Sequence, residues 1–220
     1  MRHVWLHRAP AGAPAELVVF CNGWGMDERV VAGLDGTGCD VLCLYDYRRP
    51  EPDPALLREL AALTPSRRIL VAWSLGVYMS GMLKRLLPPF HISVACNGTP
   101  RPIDARYGIP APVYDATVQA MTSTDARDRF MLRAGMECSL CRQDVAELRE
   151  ELDAVRRLVL EDTAEAPHFD LALVSAGDRI FPARSQRRYW QSCPGTRLIP
   201  LEGSHCPFPS FRAWRELWHG

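Results

Sequence analysis

Apolar and polar positions fall in blocks along this chain, short apolar runs alternating with stretches of helical spacing. Strand-like runs occur at residues 3–6, 17–21, 39–45, 67–73, 90–96, 169–174 and 196–201. Between them the helical patterns are clear. In residues 54–63, Leu56, Leu57, Leu60, Ala61 and Leu63 mark a buried face, and Pro65 ends the helix. After Ser74, Leu75, Tyr78, Met79, Met82, Leu83 and Leu86 recur at helical spacing, as core packing requires. A last helix is predicted over 211–218, with Phe211, Trp214, Leu217 and Trp218 facing inward. This rhythm predicts an α/β fold with a mainly parallel sheet flanked by helices on both faces.

Between Pro100 and Pro167 the rhythm stops. A proline-rich connection runs to Pro112, and residues 114–160 then read as charged helices. The expectation is one domain over 1–220 with a helical cap inserted at about 104–167; the alternative is that these helices only cover one sheet face.

Composition narrows the class. A chain of 220 residues, 47% hydrophobic, can form one substantial core. Net charge is zero at pH 7, which argues against nucleic acid or an anionic membrane as the main partner. All basic residues except Lys84 are arginine, scattered rather than striped. No run of about 18 apolar residues exists, so no membrane span is expected. Residues 1–8 lack the apolar stretch of a secretory signal, and eight cysteines then suggest a reducing, cytoplasmic setting. Cys138 and Cys141 have metal-ligand spacing, but no second pair closes a tetrahedral site, so neither a metal nor a cofactor is expected. Cys206, beside His205, is expected to pack rather than react.

The chemistry is concentrated where the run 67–73 breaks on Ser74, with Gly76 two residues later. A strand that turns sharply into a helix at a serine reads as a nucleophile elbow, with Ala72 where the usual G-x-S-x-G pattern has glycine. The plain alternative is a strand and a helix whose N-cap is serine. A serine nucleophile needs a base and an acid that orients it. Asp178 ends the strand-like run after Gly177, and His205 follows the next strand after Gly203. The chain order Ser74, Asp178, His205 is the order of α/β-hydrolases. Backbone N–H groups for an oxyanion hole are expected on Leu75, after the nucleophile, and on Trp24, in the Asn22-Gly23-Trp24-Gly25 loop that follows the strand 17–21. Trp24 and Trp73 are also candidate substrate contacts.

These segments resemble a known family. Phe20-Cys21-Asn22-Gly23-Trp24-Gly25-Met26-Asp27, Tyr45-Asp46-Tyr47-Arg48, Ala72-Trp73-Ser74-Leu75-Gly76-Val77, Asn97-Gly98-Thr99-Pro100 and Ser204-His205-Cys206-Pro207-Phe208 are similar to the BioG-type esterases, in which Ala72 and Asn22 look ordinary. The resemblance spans nearly the whole chain and is weakest at 104–167. It implies a serine carboxylesterase that removes the methyl ester from a pimeloyl chain tethered to an acyl-carrier protein, in biotin synthesis. Acyl-carrier protein is then the expected partner, and because carriers are acidic, Arg127 and Arg133 are candidate contacts. A thioesterase or general short-chain esterase on the same scaffold is the nearest alternative, and a non-catalytic binding module a more distant one.

Overall fold

The computed structural model describes residues 1–10 and 15–219. Seven strands form one sheet: β1 (Arg2–His7), β2 (Glu16–Cys21), β3 (Cys39–Tyr45), β4 (Arg67–Trp73), β5 (Ile92–Cys96), β6 (Leu171–Ser175) and β7 (Arg197–Leu201). Their spatial order is β1-β3-β2-β4-β5-β6-β7. Only β1 runs antiparallel to its neighbour. The central strands are buried on both faces, which is why they read as nearly continuous apolar runs.

Alternation within β2 supplies both faces at once. Val18 and Phe20 pack with Trp24, Met131 and Trp214 on one side. Leu17, Val19 and Cys21 pack with Leu56, Leu60, Leu83 and Trp190 on the other. The helices α1 (Pro54–Ala62), α2 (Leu75–Leu86) and α6 (Ala183–Gln191) connect strands, whereas α3 (Ala111–Ala120), α4 (Thr124–Arg133) and α5 (Val145–Glu161) are inserted between β5 and β6. Helix α1 starts cleanly: Pro54 sits in its first turn and the Asp53 carboxylate accepts the Ala55 N–H. Helix α5 opens with a reciprocal capping box between Asp144 and Glu147.

Some sequence expectations are corrected. The aromatic spacing of 211–218 predicts a helix, but only α7 (Glu216–His219) is helical. Before it, Asp35 N–H donates to the Arg212 carbonyl and Trp214 N–H to that of Asp35, bridging Ala213 to Asp35 ahead of a turn, a long-range pairing that local periodicity does not reveal. Phe211 is only half-buried. Leu86 and Ala61 were expected inward and are exposed, each on the last turn of its helix. Strands β5 and β6 begin two residues later than the apolar runs suggest, because Phe90 and Phe169 pack beside the sheet rather than in it.

Strand order reverses between β2 and β4: β3 lies outside β2, and β5 lies outside β4. The carboxyl ends of β2 and β4 therefore border a topological switch point, where open α/β sheets bind ligands. Both expected functional loops leave the sheet there.

Candidate active site

Ser74 is the residue between β4 and α2, with φ 57° and ψ −124°. A capping serine has extended backbone and a hydroxyl that accepts an N–H of its own helix; Ser74 has neither, although its carbonyl accepts the Val77 N–H. This is a strained backbone of the kind a strand-to-helix elbow imposes. Helix α2 can start so close to the sheet because of Gly76. A Cβ at that residue would lie 2.2 Å from the Cys21 carbonyl oxygen and 2.4 Å from that of Asn22.

The hydroxyl freed from capping meets the loop after β7. Ser74 Oγ and His205 Nε2 are 2.8 Å apart, and His205 Nδ1 is 2.9 Å from Asp178 Oδ2. All three residues are buried, at 6%, 3% and 8% exposure. The Asp178 carboxylate is fixed by further donors. The N–H groups of Ile180 and Phe181 each reach Oδ1 at 2.9 Å, and Gln186 Nε2 reaches Oδ2 at 2.9 Å. The turn-initiating role that an Asp after glycine ordinarily plays is thus performed by the same carboxylate that faces the imidazole.

The histidine is held through its main chain as well. Its carbonyl accepts Trp73 Nε1 at 2.8 Å and Asn97 Nδ2 at 2.9 Å. Asn97, with φ 46°, also accepts the Ser175 N–H on its Oδ1 at 2.7 Å, so one fully buried amide bridges β5, β6 and the histidine loop. Neither Gln186 nor Asn97 was singled out for a role from sequence. Asn97 lay in a motif of the family resemblance; Gln186 carried no local signal.

Trp24 and Leu75 both line the same cavity, and among the described residues neither backbone N–H has an acceptor. Trp24 is also a packed residue. Its indole donates to the Leu148 carbonyl at 2.8 Å and sits edge-on to Phe130 with ring centroids 4.8 Å apart. Asn22 shapes the loop, its Oδ1 accepting the Gly23 N–H and its Nδ2 donating to the Asp27 carbonyl, both at 2.8 Å.

The cavity over Ser74 has a volume of roughly 80 Å³ and is partly open to solvent. The sheet side contributes Trp24, Trp73 and Ile180, and the inserted helices contribute Tyr114, Phe130 and Leu152. The lining is mostly apolar, suited to an acyl chain. Arg133 and Arg179 are its cationic lining residues, and the Arg133 guanidinium rests 5.2 Å from the Phe130 ring centre. Arg127 stands elsewhere: it does not line the cavity, and it is ion-paired with Asp128 at 2.8 Å. Burial pushes the Cys206 thiol up to about 11, away from nucleophile chemistry. Among the described residues no cluster of three or more His, Cys, Asp or Glu could hold a metal, and no helix is long and apolar enough to cross a membrane.

Comparison with known proteins gives this geometry a family. The family model described as pimeloyl-ACP methyl esterase BioG matches residues 9–217. A malonyl-[acyl-carrier protein] O-methyltransferase of Bacteroides fragilis is 31% identical over 195 residues, which are 82% of this chain but only 38% of that protein. The crystal structure of BioG from Haemophilus influenzae superposes with a TM-score of 0.81 at 26% identity, covering 99% of this chain and all of that one. An esterase of Exiguobacterium antarcticum has a TM-score of 0.69 at 13% identity, covering 95% and 89%, and speaks for the fold alone. A match over nearly the full length, on an α/β-hydrolase scaffold, establishes that the chain belongs to the BioG family of pimeloyl-ACP methyl esterases, carboxylic ester hydrolases by class.

Proposed function

We propose that this chain hydrolyses the ω-methyl ester of a pimeloyl group carried on acyl-carrier protein, releasing methanol and leaving the free carboxylate on the carrier. The observation that carries the reading is the unbroken line from Ser74 Oγ through the His205 imidazole to Asp178, opening on an apolar cavity. Ser74 Oγ attacks the ester carbonyl while His205 Nε2 takes its proton. The negative charge gathers on the carbonyl oxygen, where the N–H groups of Trp24 and Leu75 receive it. The tetrahedral species collapses, methoxide leaves with the proton from His205, and the acyl group stays on Ser74. Water then gives its proton to the imidazole and attacks the acyl-enzyme, and Ser74 recovers its proton as the carboxylate departs. Asp178 holds the imidazole tautomer and stabilises the imidazolium in both halves.

The helices α3, α4 and α5 serve as the cap of a single domain. They narrow the cavity around the chain and limit water to what the second step needs. Trp24 and Trp73 supply flat apolar surface to the acyl group. An acidic carrier docks beside the mouth, with Arg133 as the nearer cation; the ion pair of Arg127 with Asp128 makes Arg127 the weaker contact. The eight cysteines are all free, in keeping with a cytoplasmic setting.

The test is incubation of wild type and Ser74→Ala with pimeloyl-carrier-protein methyl ester, following methanol and the intact mass of the carrier. Loss of one methyl group with wild type only is expected. Loss of the whole acyl chain would instead make the protein a thioesterase.

A further inference from the structure

Three consecutive backbone N–H groups in the loop after β2 have different fates. That of Gly23 is held by Asn22 Oδ1 at 2.8 Å, and that of Gly25 by Glu151 Oε2 at 3.2 Å. Among the described residues the N–H between them, on Trp24, has no acceptor, and Trp24 lines the cavity. Glu151 belongs to α5, 126 residues further along the chain. Its other oxygen accepts the Tyr47 N–H at 3.1 Å, and the Tyr47 hydroxyl returns to the Asn22 carbonyl at 2.7 Å. One carboxylate therefore pins the loop at Gly25 directly and at Asn22 through Tyr47.

Glu151 is costly where it stands. It is 0% exposed, and among the described residues it has no ion-pair partner. An uncompensated buried carboxylate is unfavourable, so packing alone would favour an apolar residue or an amide. What neither of those supplies is two acceptor oxygens for two N–H groups from different loops. Gly25, with φ 71°, fixes the peptide that follows Trp24 and has no Cβ to keep α5 away: a carbon there would lie 2.6 Å from Leu148 Cδ2.

We propose that Glu151 is a positioning residue for catalysis, holding the Trp24 N–H at the place of the oxyanion and coupling that hole to the seating of α5. The inference rests on the reading of Trp24 as an oxyanion donor. Protonation of Glu151 turns one acceptor into a donor and releases an N–H, so activity falls with acid beyond the loss due to His205. Burial pushes the Glu151 carboxyl up to about 7, against the N–H donors of Tyr47 and Gly25 and the Gln143 side chain, and Asp46 adds to the rise. Asp46 is itself tied to Arg48 at 2.7 Å, and the Tyr47 phenol, Tyr114 from α3, Cys141 and the N-terminal ammonium are the further titratable groups that act on Glu151.

The experiment measures kcat, KM and pH–rate profiles of wild type, Ser74→Ala and Glu151→Gln on pimeloyl-carrier-protein methyl ester and on p-nitrophenyl butyrate. For Glu151→Gln the expected result is kcat lower by roughly ten- to a hundredfold with KM within about twofold, since one displaced oxyanion donor acts in the transition state. The wild-type acid limb of kcat should be steeper than one proton, and that of Glu151→Gln should follow one proton only. A Glu151→Gln enzyme with wild-type kcat and acid limb, beside an inactive Ser74→Ala, overturns the positioning role and leaves the triad standing. Turnover by Ser74→Ala, or none by wild type on either ester, sinks the underlying reading instead. If Glu151→Gln does not fold, a one-proton acid limb in wild type alone overturns the proposal.

Discussion

Trp73 Nε1 donates to the backbone carbonyl of His205 at 2.8 Å, so the residue preceding the candidate nucleophile holds the main chain of its candidate base. The two rings also lie close, with centroids 5.4 Å apart. Replacing Trp73 by phenylalanine keeps most of the apolar surface and deletes this donor, while Asn97 continues to hold the same carbonyl. A lost buried hydrogen bond is worth about 1–2 kcal/mol. Hydrolysis by Trp73→Phe should fall roughly five- to thirtyfold in kcat. The double variant with Asn97→Leu should lose more than the two single effects combined, because the last donor to the carbonyl is then gone. Strictly additive effects in steady-state kinetics would show that the two donors act independently.

The backbone at Ser74 makes a separate prediction about stability. A residue with a Cβ at φ 57° and ψ −124° is strained, and glycine is not. Ser74→Gly and Ser74→Ala should both be inactive, yet the glycine variant should be more stable than the alanine variant by about 1 kcal/mol, after allowing for the greater unfolded-state entropy of glycine. Urea unfolding of the two inactive proteins measures this directly. Equal midpoints would mean that the elbow stores no strain.

Glu151 also sets a pH dependence of folding. Its folded pKa is raised from 4.5 to about 7. The native state therefore binds more protons than the unfolded state between these values. The stability associated with the protonated group is fully present below about pH 4.5 and is lost as pH rises through about 7. The loss amounts to about 3 kcal/mol for one fully buried group. Unfolding free energies at pH 5 and pH 8 should converge in Glu151→Gln relative to wild type. If the difference is the same in both proteins, another group is responsible.

Charge at the cavity mouth should act on the carrier. Arg133→Glu should raise KM for the carrier-bound ester by about tenfold at low salt, with the effect shrinking as ionic strength rises. Arg127→Glu should do less, because the arginine it removes is already paired with Asp128. Equal effects of the two variants would place the docking surface elsewhere on α4.

What the sequence disclosed, and what it hid, follows from how local each signal is. The elbow, Asp178 and His205 each stand at the end of a strand whose apolar run is contiguous in sequence, so their order could be read directly. The sheet followed for the same reason. Asn97 and Glu151 act through contacts with residues more than a hundred positions away, and Gln186 reaches back across a turn to Asp178; of the three only Asn97 stands in a motif that the family resemblance marks. Glu151 lies in the stretch 114–160 that reads as charged helices, yet the loops after β2 and β3 cover it. The last helix differs in the opposite sense: Phe211 and Trp214 have helical spacing, but Phe211 is extended and a bridge between Asp35 and Ala213 delays the helix until after the turn at Trp214.

The two glycine slots that flank a hydrolase serine are not equivalent in this protein. The earlier one is occupied by Ala72, a strand residue whose neighbours across the sheet are Cys21 and Ala95. The later one, Gly76, has two carbonyl oxygens where a carbon would go. Sequence drift can therefore pass through the first slot and is blocked at the second. A motif search that demands both glycines would overlook this chain, whereas one that asks for any small residue before the serine and a strict glycine after it would recover it.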